Sequence, residues 1–186
     1  MPELAFTPDA EYGVCNREKG ILHVELSAPA DGSRLGSLHG GTVRNAVAAS
    51  ARAEARCTAE ECEALEALSK KMDGKFSFQW SGGVFDRGMC RKSRPRHGAP
   101  ERKKRRGPAG QAFFLLLRRG SAGRLWSFVD QKIGLELDGS SLGLRREDAV
   151  SGPLTVNLGV AEQDNGVCRA VLDIRYPVTA DGGGNF

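Results

Sequence analysis

The stretch Leu154–Tyr176, LTVNLGVAEQDNGVCRAVLDIRY, decides how the rest of the chain is read. Leu154 to Val160 and Val167 to Tyr176 are two runs rich in β-branched and aliphatic residues. Between them lies Asp164-Asn165-Gly166, a turn sequence suited to positive φ angles. Two such runs around such a turn predict an antiparallel hairpin. Upstream, Gly20 to Ser27 alternates apolar and polar residues with period two, which predicts a half-buried strand. Phe76, Phe78 and Trp80 alternate in the same way. Helical signals lie between and after these strands. Thr58 with Glu61 three residues on forms a capping-box pattern, and the helix it opens should run to about Met72, before Asp73-Gly74. Asn45 to Cys57 is rich in alanine and is expected to be helical; Ala28 to Gly41 is rich in Pro, Gly and Ser and is expected to be loop. Leu125, Trp126, Phe128, Val129 and Ile133 fit one face of a further helix. Strand, helices, strands, helices and hairpin together predict an α+β fold, an antiparallel sheet with helices on one face.

The chain has 186 residues, enough for one domain with a true core, or for one domain and part of another. Its longest apolar run, Ala112 to Leu117, is far below the ~20 residues that a membrane-spanning helix needs. The opening Met1-Pro2-Glu3-Leu4 lacks the basic and apolar regions of a signal peptide, so a cytoplasmic protein is expected. Five cysteines, Cys15, Cys57, Cys62, Cys90 and Cys168, are odd in number and scattered, with no C-x-x-C pair. Reduced thiols suit this pattern better than disulfides or a zinc cage.

The net charge of +4 comes from one segment. Arg87 to Arg106 holds ten Lys or Arg and one acid, Glu101; the rest of the chain has 17 bases against 22 acids. Three readings of this run stand beside one another. It could be an arm that neutralises nucleic-acid phosphates, with salt-sensitive affinity, although it has no interleaved aromatics and no known binding fold. It could be a solvated disordered loop. Or it could be translated out of frame.

Three places carry groups suited to chemistry. Phe6-Thr7-Pro8-Asp9-Ala10-Glu11 sets two carboxylates beside a proline turn, and carboxylates ligate zinc only when three or four groups converge. Gly40-Gly41-Thr42 followed by Asn45 would let backbone approach a ligand closely and place an amide there; the plainer alternative is a loop with Asn45 as the N-cap of the next helix. Arg175, near the end of a strand and just before Pro177, could aim a rigid fork at a carboxylate, or could be a surface residue on an edge strand. His23 on a strand and His39 in a loop show no partner pattern and read as structural.

Taken in order, several segments resemble the PepV-type dipeptidases, relatives of carnosinase and aminoacylase. They are Leu4 to Glu11, Glu18 to His23, Leu38 to Thr42, Asn45 to Val47, Ile133-Gly134, Asp138-Gly139, Leu142-Gly143, Ser151-Gly152, Leu154 to Gly159 and Leu172 to Val178. The resemblance implies a two-domain zinc metallopeptidase that hydrolyses dipeptides or short peptides. Residues 1–19 would close the catalytic zinc domain, 20–178 would form a lid domain over the substrate, and 179–186 would be a tail. Asp9 matches a zinc ligand, Asn45 a lid residue near the substrate, and Arg175 a lid residue that binds the substrate's C-terminal carboxylate. The family's remaining zinc ligands and its general base have no match in this sequence. The resemblance therefore implies an internal portion of such an enzyme, inactive alone, in which two zinc ions would need ligands from elsewhere.

The same resemblance bears on the basic run. The family motif expected there is G-K-A-A-H-x-x-x-P-x-x-G-x-N-A, and the genetic code permits that text if residues 87–107 are read one base out of frame. A frame slip is thus the history that fits the resemblance best. His97, the nearest histidine as written, stands close to where the family's oxyanion-stabilising lid histidine would fall, and is carried as a catalytic candidate. The rival from another class is a small basic nucleic-acid-binding protein that uses 87–106.

Overall fold

The computed structural model describes residues 17–48, 50–70, 75–81, 84–91, 123–134 and 136–180. The predicted hairpin is present. Strands β8 (Thr155–Asp164) and β9 (Val167–Tyr176) pair antiparallel from Thr155↔Arg175 to Asp164↔Val167. Asn165 at φ 49 and Gly166 at φ 78 make the turn, so both central residues take the left-handed conformation this tight connection demands.

The sheet grows outward from that hairpin on both sides. Strand β1 (Gly20–Pro29) pairs antiparallel with β9, and β2 (Leu35–Gly40) pairs antiparallel with β8. Strand β3 (Ser50–Arg56) follows β2, and β4 (Lys75–Ser81) and β5 (Val84–Arg91) complete a seven-stranded sheet in the order β1-β9-β8-β2-β3-β5-β4. Strands β6 (Glu147–Asp148) and β7 (Gly152–Pro153) form a separate two-stranded ribbon, and every pairing is antiparallel. The step from β1 to β2 crosses two strands, about 14 Å at the usual strand spacing. The short link 30–34 makes it by passing the hairpin turn, where the Ala30 N–H donates to the Gly166 carbonyl at 2.8 Å.

Among the described residues two α-helices accompany the sheet, α1 (Ala59–Ser69) and α2 (Arg124–Lys132). The capping box is realised: the Thr58 N–H donates to Glu61 Oε2 at 2.8 Å, and the Glu61 N–H donates to Thr58 Oγ1 at 3.3 Å. Arg34 Nη1 donates to Glu61 Oε1 at 3.0 Å, tying the start of α1 to the β1–β2 link. Helix α2 buries Leu125, Trp126, Val129 and the following Ile133 against one sheet face, with Leu38, Ala53, Val156, Ala161, Ala170, Leu172 and Ile174. Phe128, predicted on the same helical face, is 41% exposed instead. Gln163 lies 2% exposed inside this core: its Oε1 accepts from Trp126 Nε1 at 2.7 Å and from Cys168 Sγ at 3.1 Å, and its Nε2 donates to the Leu35 carbonyl.

Two expectations are corrected. Leu35–Gly40, read as loop, is strand β2, and Ser50–Arg56, read as helix, is strand β3. The text of β3 is ARAEAR after Ser50, small apolar residues alternating with charges. Ala53 and Ala55 are buried on the core face, and Arg52 and Glu54 bond each other at 3.0 Å on the other. Alanine's helix preference is worth under about 1 kcal/mol per residue, and a strand bonded on both sides by β2 and β5 overrides it. The strand near Phe76 to Trp80 is present as β4. The fold is α+β and dominated by its sheet.

Candidate functional site

The sheet face opposite α2 carries a group of polar side chains beside the buried Val160 and Val171. Across β1, β9 and β8, His23, Asp173 and Asn157 stand side by side in register, and the next row is Ile21, Arg175 and Thr155. Directly opposed residues of antiparallel strands project from the same face, so His23, Asp173, Arg175 and Asn157 share it. A second group lies further along. Arg169 Nε and Nη2 bond the two oxygens of Glu25 at 2.8 and 3.0 Å, and its Nη1 bonds Glu162 at 3.0 Å. These bonds hold the Glu25 carboxyl below the usual carboxylate range and push the Arg169 guanidinium up. This triad is fully occupied with itself.

Arg175 is placed differently. Its Nε donates to Asp173 Oδ2 at 3.0 Å, and the rest of its fork makes no further hydrogen bond or ion pair among the described residues. Its side chain is 35% exposed, whereas that of Asp173 is 5% exposed. The alternative of a surface arginine on an edge strand is set aside, because β9 lies between β1 and β8. A guanidinium held at Nε keeps its two Nη groups, which can take a carboxylate end-on through two parallel hydrogen bonds.

Asn45 lies in a turn between β2 and β3 and is exposed. It caps no helix, since a strand follows. The side-chain Nδ2 of Asn157 donates to the carbonyls on either side of it, Arg44 and Ala46, each at 3.1 Å. The glycines that drew attention at this loop meet a strand: a Cβ on Gly41 would overlap the Gly159 carbonyl, and one on Gly159 would overlap the Arg44 carbonyl. Gly159 is the extra residue of a bulge in β8, between Leu158↔Leu172 and Val160↔Val171. Backbone therefore lies on backbone at this point, and the loop carrying Asn45 is seated beside the row that holds Asp173. A cleft of about 390 Å³ opens at the same loop, lined by His39, Thr42, Val43, Val47 and Arg52 among others.

Of the four site residues named from sequence, Asn45 lies in the loop whose flanking carbonyls Asn157 holds, and Arg175 bonds Asp173, the register partner of Asn157. Asp9 and His97 lie outside the described residues, as does the basic run from Lys92 onward. His23, read as showing no partner pattern, stands with its Nε2 2.9 Å from Asp173 Oδ1, close to it but not aligned as a hydrogen bond. Asp173 and Asn157 were passed over because their meaning depends on strand register, which single residues do not announce.

The described residues do not fit a metal. No three His, Cys, Asp or Glu side chains converge among them. His23 and Asp173 alone are too few for zinc, and the Arg175 cation beside Asp173 opposes a second cation there. Among the described residues no helix is long and apolar enough to cross a membrane.

No family model matches the chain. Over 195 aligned residues it is 28% identical to the Bacillus subtilis (strain 168) protein named "Putative dipeptidase YtjP"; the alignment takes in 97% of this chain and 41% of that protein. The chain thus spans about two-fifths of the relative's length.

Proposed function

We propose that this chain is the substrate-covering lid portion of a dipeptidase and that it holds a short peptide by its C-terminal carboxylate. Arg175 takes the carboxylate, and Asn45 contributes an amide donor and acceptor from the neighbouring loop. The observation that carries this is the open Nη edge of Arg175, on the same sheet face as the Asn157 side chain that holds the Asn45 loop. The likeness to a protein named as a dipeptidase, along almost the whole chain, supports the substrate class. So do the ordered segments that resemble the PepV-type family.

Zinc enters this proposal only through Asp9. In this reading the described sheet holds substrate, and zinc ligands from elsewhere in the longer enzyme serve bond cleavage. The chain alone should leave dipeptides intact even with zinc supplied, and robust zinc-dependent hydrolysis by it would remove the division of labour proposed.

The direct test is a titration of the full chain with dialanine, followed by NMR. Binding should perturb the Arg175 and Asn45 side-chain signals. Arg175→Ala should weaken it by about tenfold or more, equivalent to ~1.4 kcal/mol. Equal binding by the wild type and Arg175→Ala would sink the proposal.

A further inference from the structure

The geometry points to Asp173 as the positioning residue for Arg175: a buried carboxylate that fixes the guanidinium so that only its Nη edge is presented to a ligand. This rests on the carboxylate-binding role proposed above for Arg175, and adds the group that sets its direction.

Three observations converge. Asp173 and Arg175 are two apart on β9, so both side chains leave the same face, and Oδ2 of the acid accepts from Nε of the base at 3.0 Å. That bond uses the inner side of the fork and leaves the end-on side. Second, the acid is not an ordinary surface partner. Asp173 is 4% exposed in a strand bonded on both sides, whereas the Arg169 cluster on the same face bonds carboxylates that are 41% and 55% exposed. Third, the acid is under-supplied with donors. Its Oδ1 is buried and has no hydrogen-bond donor among the described residues, although His23 Nε2 stands 2.9 Å away across the strand pair.

A carboxylate can accept about four hydrogen bonds, and burying one with a single aligned donor disfavours folding relative to an apolar side chain of similar size. Stability alone does not account for an aspartate here. Orientation does. An arginine side chain loses much rotamer freedom when it is held, and a partner that fixes its Nε before the ligand arrives removes part of that cost from binding. His23 Nε2 stands 2.9 Å from the other oxygen of the acid. The consequence is a preference for ligands that end in a free carboxylate over those that end in an amide, since only the carboxylate offers two anionic acceptors to the two Nη groups.

The experiment compares binding of dialanine and dialanine amide to the full chain as wild type, Arg175→Ala and Asp173→Asn, with a urea midpoint for each. The wild type should prefer the acid by about tenfold, and Arg175→Ala should abolish the preference. Asp173→Asn should retain a cooperative unfolding transition yet lose most of the preference. A merely structural acid would lower the urea midpoint and leave the acid-to-amide ratio unchanged, and that result would overturn the inference. If Arg175→Ala changes nothing, the carboxylate-binding role itself fails, and the positioning is judged on the wild type alone. There the Arg175 Nε–H, assigned by its loss in Arg175→Lys, should exchange slowly with solvent. An Nε–H that exchanges as fast as that of an exposed arginine would overturn the inference without any Asp173 variant having to fold.

Discussion

Replacing Gln163 by Met tests the polar knot inside the core. The two side chains have similar length and shape, so the substitution removes the amide while nearly conserving volume. Gln163 is 2% exposed and Trp126 0% exposed. The change takes from Trp126 Nε1 an acceptor at 2.7 Å, and from the Leu35 carbonyl its side-chain donor. A buried donor that loses its partner costs about 1–3 kcal/mol. Relief from burying the amide offsets part of that, so the loss should be about 2 kcal/mol. Trp126→Phe removes the other half of the pair and leaves a void, for a loss of about 2–4 kcal/mol. In the double variant the Trp126–Gln163 bond is absent from both sides and cannot be lost twice, so the two losses should fall short of additivity by about 1–2 kcal/mol. Urea unfolding followed by far-UV circular dichroism measures all four proteins, with unchanged slopes required for the comparison. Gln163→Met within about 0.5 kcal/mol of wild type, or additive losses, would refute the view that this bond holds α2 to the sheet.

Further outcomes follow from other contacts. Gly159→Ala should push the 41–48 loop off the β8 bulge, because the new Cβ meets the Arg44 carbonyl; amide shifts should change from Gly41 to Ala48 and stay put in α2, and unchanged loop shifts would count against the close packing. Thr58→Ala should cost about 1 kcal/mol of urea stability through loss of the α1 cap, and a loss below the error of the measurement would mean the box contributes nothing. Asp148 accepts hydrogen bonds from Ser151 and Thr179, and these hold its carboxyl well below the ordinary value of 3.8. The folded value lies below the unfolded one, so the stabilisation is full above the unfolded value and is lost as pH falls through the folded value. Asp148→Asn should therefore be less stable than wild type near neutral pH, with the gap closing below about pH 4. A gap that stays constant on acidification would contradict the assignment.

What sequence alone settled is the local part of the fold. The β8–β9 hairpin, the alternation in β1 and β4, the capping box at Thr58 and the helical stripe from Leu125 to Ile133 are legible because each depends on neighbours a few residues away. Arg175 and Asn45 were singled out for another reason: they stand within segments that, in order, resemble a known family. The tertiary structure decided what depends on distant partners. Strand β3 contains a string of good helix formers, and only pairing with β2 and β5 makes it extended. Gly41 and Gly159 lie more than a hundred residues apart in sequence, yet each is needed because backbone lies on backbone there. Asp173 looks like any polar strand residue until the register sets it beside His23 and Asn157. Short-range periodicity names an element and its faces. Which side chains meet on a face is fixed by register and by the bulge at Gly159, and those are settled only when the whole sheet closes around its core.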